Sequence, residues 1–150
     1  MNYQHILAAM DFSPESDKVV QRASESAAMH GASLTLLHVV EPIYSGFVDE
    51  GYISIDMNLE QDLIANAKRR LQETAQQFGL TDSNLLVEAG SPKHTVVSIA
   101  QELGVDLIIA GSHGRHGLQL LLGSTANGIL HLAQCDVLAV RVREQADEES

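Results

Sequence analysis

Five short apolar segments recur along this chain with almost no polar alternation inside them: HILAAMD from His5, SLTLLHVV from Ser33, NLLVEAG from Asn84, DLIIAG from Asp106 and DVLAVRV from Asp136. A strand with one face in water alternates apolar and polar residues, whereas a strand covered on both faces reads as a continuous apolar run. Segments of helical period separate these runs, so strand and helix alternate throughout. That pattern predicts a single α/β domain: a five-stranded parallel sheet with helices on both faces, right-handed crossovers, and ligands at the strands' C-terminal ends.

The first strand ends at Asp11, and SPES follows as a helix start with Ser13 as N-cap and Pro14 at the first helical position. Val19, Val20, Ala23, Ala27 and Ala28 carry the apolar stripe of that helix to Gly31, which caps it. Residues Glu41 to Asn58 contain Pro42, Gly46 and Gly51 among scattered aromatics and read as a long irregular crossover, a candidate lid. A surface helix is expected from Leu59 to Phe78, with Gly79 stopping it, and further helices from Pro92 to Leu103 and from Ser124 to Ala133. The last strand is expected to run from Asp136 to Val142. The domain is taken as residues 1–143, with residues 144–150 as an acidic, solvated tail.

Charge and composition narrow the function. With 150 residues and 45% hydrophobic content the chain has the size and core of one ordinary domain. A formal charge of −11 with only nine Lys and Arg residues argues against a nucleic-acid partner, because neutralising a phosphate backbone needs clustered cations. No apolar run approaches the roughly 18 residues that span a bilayer, and the N-terminal segment lacks the basic and extended apolar regions of a signal peptide. No membrane insertion is expected, and a cytoplasmic location is. The single cysteine, Cys135, allows neither an intrachain disulfide nor a CxxC metal site.

Chemistry concentrates in residues 106–125, DLIIAGSHGRHGLQLLLGST. A buried strand delivers Gly111 and Gly114, and the small-residue step Gly123-Ser124-Thr125 follows where a helix begins. Glycines let a ligand approach the backbone, and a helix N-terminus points N–H groups at an anion. The order strand, glycine loop, helix therefore predicts a phosphate site. His113 and His116 have no local third ligand for zinc. His38 reads as a strand histidine with its hydrogen bonds satisfied. Asp11 is either a turn residue at a strand end or a functional carboxylate. GxSxG, HExxH and GxxxxGK[ST] are all absent, as is GxGxxG after the first strand, so no catalytic pair emerges.

HILAAMDFSPES, LTLLHVVEP, EAGSP, DLIIAGSHGRHG with GST, and CDVLAVR together resemble the universal stress protein A family over nearly the whole chain. The resemblance implies a Rossmann-like sheet of the adenine nucleotide alpha hydrolase kind, with strand order 3-2-1-4-5. It also implies a regulatory module that binds ATP or another adenine nucleotide with little or no turnover. Carried onto this sequence, it places Asp11 at the ribose or at the metal-and-phosphate region and Val39 against adenine through its backbone. Gly111 and Gly114 would pass under ribose and phosphates, with His113 lining the loop. Gly123, Ser124 and Thr125 would bind phosphate oxygens. The family's glycine pattern has nine residues before its third glycine, whereas Arg115 to Leu122 is eight, one fewer. In a chain this acidic, Mg2+ is expected to share the phosphate charge, with Asp11 as its one carboxylate. A homodimer through the C-terminal strand is expected on two grounds, the resemblance and the cost of leaving an apolar edge unpaired. The alternatives are a nucleotide-free dimeric interaction protein of the same family and a slow ATP hydrolase using Asp11 and His113.

Overall fold

The computed structural model describes residues 2–14, 16–42, 44–45, 54–55, 57–112 and 123–141. Its elements run β1 (His5–Met10), α1 (Ser16–His30), β2 (Ser33–Val40), β3 (Tyr44–Ser45), β4 (Ser54–Ile55), α2 (Met57–Gln77), β5 (Asn84–Ala89), α3 (Pro92–Leu103), β6 (Leu107–Gly111), α4 (Ser124–Leu132) and β7 (Asp136–Val140). Five strands form one sheet in the order β5-β2-β1-β6-β7, and each neighbouring pair is parallel. Counted along the chain, that is the expected 3-2-1-4-5 arrangement. The predicted irregular crossover contains a two-stranded antiparallel pair, β3 with β4, among its described residues.

Strand pleating explains why one sheet carries two cores. Ile6, Ala8 and Met10 of β1 face one side, with Leu34 and Leu36 of β2, and are covered by Val19, Val20, Ala23 and Ala27 of α1 and by Leu71 and Ala75 of α2. Leu7 of β1, Leu37 of β2 and Ile108 and Ala110 of β6 face the other, under Val96 and Ala100 of α3 and Ile129 of α4. Ile6, Leu7, Leu36, Ile108, Ile109 and Ile129 are wholly buried. Each such side chain stabilises the fold by roughly 1.5–3 kcal/mol relative to exposure. The continuous apolar runs are therefore a consequence of helices on both faces.

Polar contacts secure the sheet at the strands' N-terminal ends. Asp106, just before β6, accepts the Gln4 N–H at 2.9 Å and the His5 N–H at 3.0 Å, linking the starts of β1 and β6. Burial on its own raises the Asp106 carboxyl, but donations from the Gln4, His5 and Asp106 N–H groups outweigh it and hold the pKa below the ordinary 3.8. His5 Nε2 lies 2.7 Å from Thr35 Oγ1, and Tyr3 donates its hydroxyl to Asp136 at 2.7 Å. Contacts at this end join strand to strand.

The start of α1 differs from expectation. The helix begins at Ser16, whose N–H and Oγ both donate to the Ser13 carbonyl, at 3.0 and 2.9 Å, so Ser13 and Pro14 lie in the turn before it. The cause is Asp11, which accepts the Ser13 N–H at 2.9 Å and folds the chain into an Asx turn ahead of the helix. Gly31 and Gly79 end α1 and α2 as expected, both in the left-handed region. The last strand stops at Val140, and the acidic segment 144–150 lies outside the described residues.

Candidate nucleotide site

Parallel strands bring all their C-terminal ends to one rim, and the connections decide where that rim opens. From β1 the chain crosses to β2 on one side, while β6 lies on β1's other side and leads outward to β7. The crevice between the ends of β1 and β6 is thus the topological switch point, where this class of sheet binds ligands. Register fixes its walls. Ala9 of β1 pairs with Ala110 of β6, so Asp11 and the Gly111-Ser112 step leave the sheet beside each other. On β1's other flank Met10 pairs with His38, which puts Val39 one residue beyond the level of Met10.

The fourth wall is the start of α4. Gly123 is its N-cap, with extended φ −62° and ψ 156°, and Ser124 and Thr125 form the first turn. Helix geometry leaves the N–H groups of Ser124, Thr125 and Ala126 without an intrahelical acceptor. Two hydrogen bonds place that terminus. Gly123 N–H donates to the Ser112 carbonyl at 2.6 Å, and Ser112 N–H donates to the Val140 carbonyl at 2.8 Å. Buried Ser112 therefore ties the end of β6 to both the end of β7 and the beginning of α4. Ser112 has no role in the sequence analysis, because both of these bonds are made by its backbone and not by its side chain.

The switch point gathers Asp11, Gly111, Gly123, Ser124 and Thr125 on one rim, with Val39 one strand away. His113 and Gly114 lie outside the described residues. The Gly123 N–H is directed to Ser112, so the N–H groups that the helix terminus presents are those of the residues after it. Asp11 is half-buried and supplies one oxygen, Oδ1, to Ser13 N–H, so it serves as a turn residue whatever else it binds. Val39 packs against the core on the α3 and α4 face of the sheet. His38 behaves as a satisfied strand histidine: its Nδ1 is 2.7 Å from the Met10 carbonyl, which can only accept, so Nδ1 carries a proton. Among the described residues no group of three His, Cys, Asp or Glu side chains is arranged to hold a metal ion. Mg2+ bound here would take one carboxylate and rely on ligand phosphates and water for its other positions, its usual coordination in nucleotide sites.

The universal stress protein family profile matches residues 2–141. The chain belongs to the universal stress protein family. It is 44% identical over 144 residues to universal stress protein A homolog 1 of Coxiella burnetii, covering 96% of this chain and 100% of that one. Among solved structures, the universal stress protein UspA from Lactobacillus plantarum superposes with a TM-score of 0.76 at 27% identity, over 95% of this chain and 99% of the other. A universal stress protein crystallised in complex with cAMP gives a TM-score of 0.65 at 25% identity, over 93% of this chain and 98% of that one. Among the described residues of this family member, no helix is long and apolar enough to cross a membrane.

Proposed function

We propose that this universal stress protein is an ATP-binding regulatory module of the cytoplasmic stress response, with little or no turnover of the nucleotide. The observation that carries the reading is the switch point, where β6 ends against β1 and, through Ser112, against the N-terminus of α4. That arrangement supports phosphate binding by N–H groups and a helix dipole in a chain short of cations. The cAMP complex of a structural relative supports an adenine nucleotide as the ligand class. In this proposal Asp11 meets the ribose or the metal-bound phosphate region, the Val39 backbone meets adenine, and Gly111 and Gly114 lie under ribose and phosphates. His113 lines the loop, and Ser124 and Thr125 bind phosphate oxygens beside Gly123.

The chain's own groups bind and orient. No general base is paired with a nucleophile among the described site residues, so the site suits retention of ATP over its cleavage. When bound, Mg2+ would neutralise phosphate charge beside the Asp11 carboxylate. The same proposal includes a homodimer. β7 lies at one end of the sheet order, and its pairing across a two-fold axis would cover that edge.

Calorimetric titration with Mg-ATP tests the reading. The wild type should bind one nucleotide per chain, and Gly114→Val should lose binding, because a branched side chain fills the space proposed for the phosphates or ribose. Equal binding by both proteins would remove the site from this loop.

A further inference from the structure

The rim holds a cluster that the proposed nucleotide contacts do not use. Phe12 is the only non-glycine residue with positive φ among the described residues, at 58°. An aromatic residue rarely adopts the left-handed region, so something must hold it there. Two groups do. The Phe12 ring stacks on the His38 ring with centroids 4.2 Å apart and a 34° tilt. The Arg70 guanidinium of α2 sits over the Phe12 ring, 4.3 Å from its centroid. His38 is itself fixed through Nδ1 to the Met10 carbonyl, immediately before Asp11.

Phe12 is also the central residue of the Asx turn in which Asp11 Oδ1 accepts the Ser13 N–H. A change in the Phe12 backbone therefore swings the Asp11 carboxylate relative to β6. We propose that Phe12, clamped between contributions from β2 and α2, is a positioning residue for Asp11, and that Arg70 sets how firmly the clamp holds. This inference rests on the nucleotide-binding reading for its functional consequence, whereas the positioning itself is a property of the ligand-free protein.

A double-mutant cycle separates positioning from general support of the fold. Mg-ATP affinity is measured for wild type, Phe12→Ala, Phe12→Tyr, Asp11→Ala and the double variant Asp11→Ala/Phe12→Ala, at a temperature where circular dichroism shows each to be folded. Phe12→Ala should weaken binding about ten-fold and Phe12→Tyr should preserve it. In the Asp11→Ala background Phe12→Ala should add nothing, because the residue acts through that carboxylate. Additive losses would overturn the proposal. Arg70→Gln, at an exposed position, should weaken binding by roughly two- to five-fold, the size of an exposed cation–π contact, and Arg70→Lys should recover most of it.

The Ser13 amide and the Asp11 carboxyl carbon are followed by NMR in the ligand-free proteins. Phe12→Ala should shift both resonances and expose the Ser13 amide to exchange, and Phe12→Tyr should not. Unchanged resonances in Phe12→Ala would overturn the positioning role whether or not ATP binds. Failure of the wild type to take up ATP, with these shifts still seen in Phe12→Ala, would overturn the nucleotide reading and leave the positioning role standing.

Discussion

The Gly123 N–H donates to the Ser112 carbonyl at 2.6 Å, joining the two ends of the glycine-rich segment by a backbone bond. This bond assigns different tasks to neighbouring residues. Gly123 anchors the helix, and in the proposed site Ser124 and Thr125 are the residues that meet the phosphates.

Ser124→Pro tests that division. Proline is well tolerated at the first position of a helix, and the extended ψ of 156° at Gly123 suits a residue preceding proline. The substitution removes the Ser124 N–H and hydroxyl without a structural penalty, so thermal unfolding should shift by less than about 2 °C. Mg-ATP affinity should fall about ten-fold or more, the loss of a charge-assisted hydrogen bond. Calorimetry on the folded variant reads the difference.

Asp106→Ala should destabilise the fold by about 0.5–1.5 kcal/mol at pH 7, since it removes the acceptor of the exposed Gln4 N–H and the half-buried His5 N–H. The depressed Asp106 pKa gives this contribution a pH signature. It is fully present above the ordinary value of 3.8 and is lost as pH falls through the lower folded value, when the carboxylate takes up a proton. Urea midpoints for wild type and variant should therefore converge below about pH 4. A constant gap across that range would mean that the charge on Asp106 is immaterial.

Gly90→Ala should cost about 1–3 kcal/mol. Gly90 has φ 150°, and a Cβ there would lie 2.6 Å from Thr95 Oγ1 in the first turns of α3. Combining it with Thr95→Ala should restore the steric part of the loss and leave the backbone part. Equal destabilisation of the single and double variants would show that Thr95 is not the obstacle.

Cys135 should alkylate slowly. Burial foremost, then the nearby Asp136 and Asp106 charges, push its thiol above the ordinary 9.0. Only the thiolate attacks, so at pH 7.5 iodoacetamide should label Cys135 more slowly than it labels glutathione, with the rate still rising at higher pH. Labelling at the glutathione rate would show an accessible, unperturbed thiol.

The features legible in the sequence were those written in one contiguous stretch. The apolar run at Ile6 to Met10 announced a doubly covered strand, and Ser91-Pro92 marked the first residue of α3, because each signal lies in the element it describes. Ser13-Pro14 misplaced the start of α1, because the competing signal was the Asp11 side chain, which turns the chain before the helix begins. Phe12, His38 and Arg70 gave no joint signal. They meet only after β1 and β2 pair in register and α2 lies across them, so their association belongs to the tertiary fold. Likewise, the glycine-loop motif pointed to the phosphate site, but the bond between Ser112 and Gly123 that orients α4 is made by backbone atoms and leaves no mark in residue type.

Native mass spectrometry of freshly purified protein, with and without added Mg-ATP, tests nucleotide binding at the β1–β6 rim most directly, because it reads subunit number and bound ligand together. Two chains carrying two ATP molecules, with ATP lost from Gly114→Val, is the predicted result. A protein that acquires no ATP mass at saturating Mg-ATP would contradict it and turn the search to protein partners of a nucleotide-free assembly.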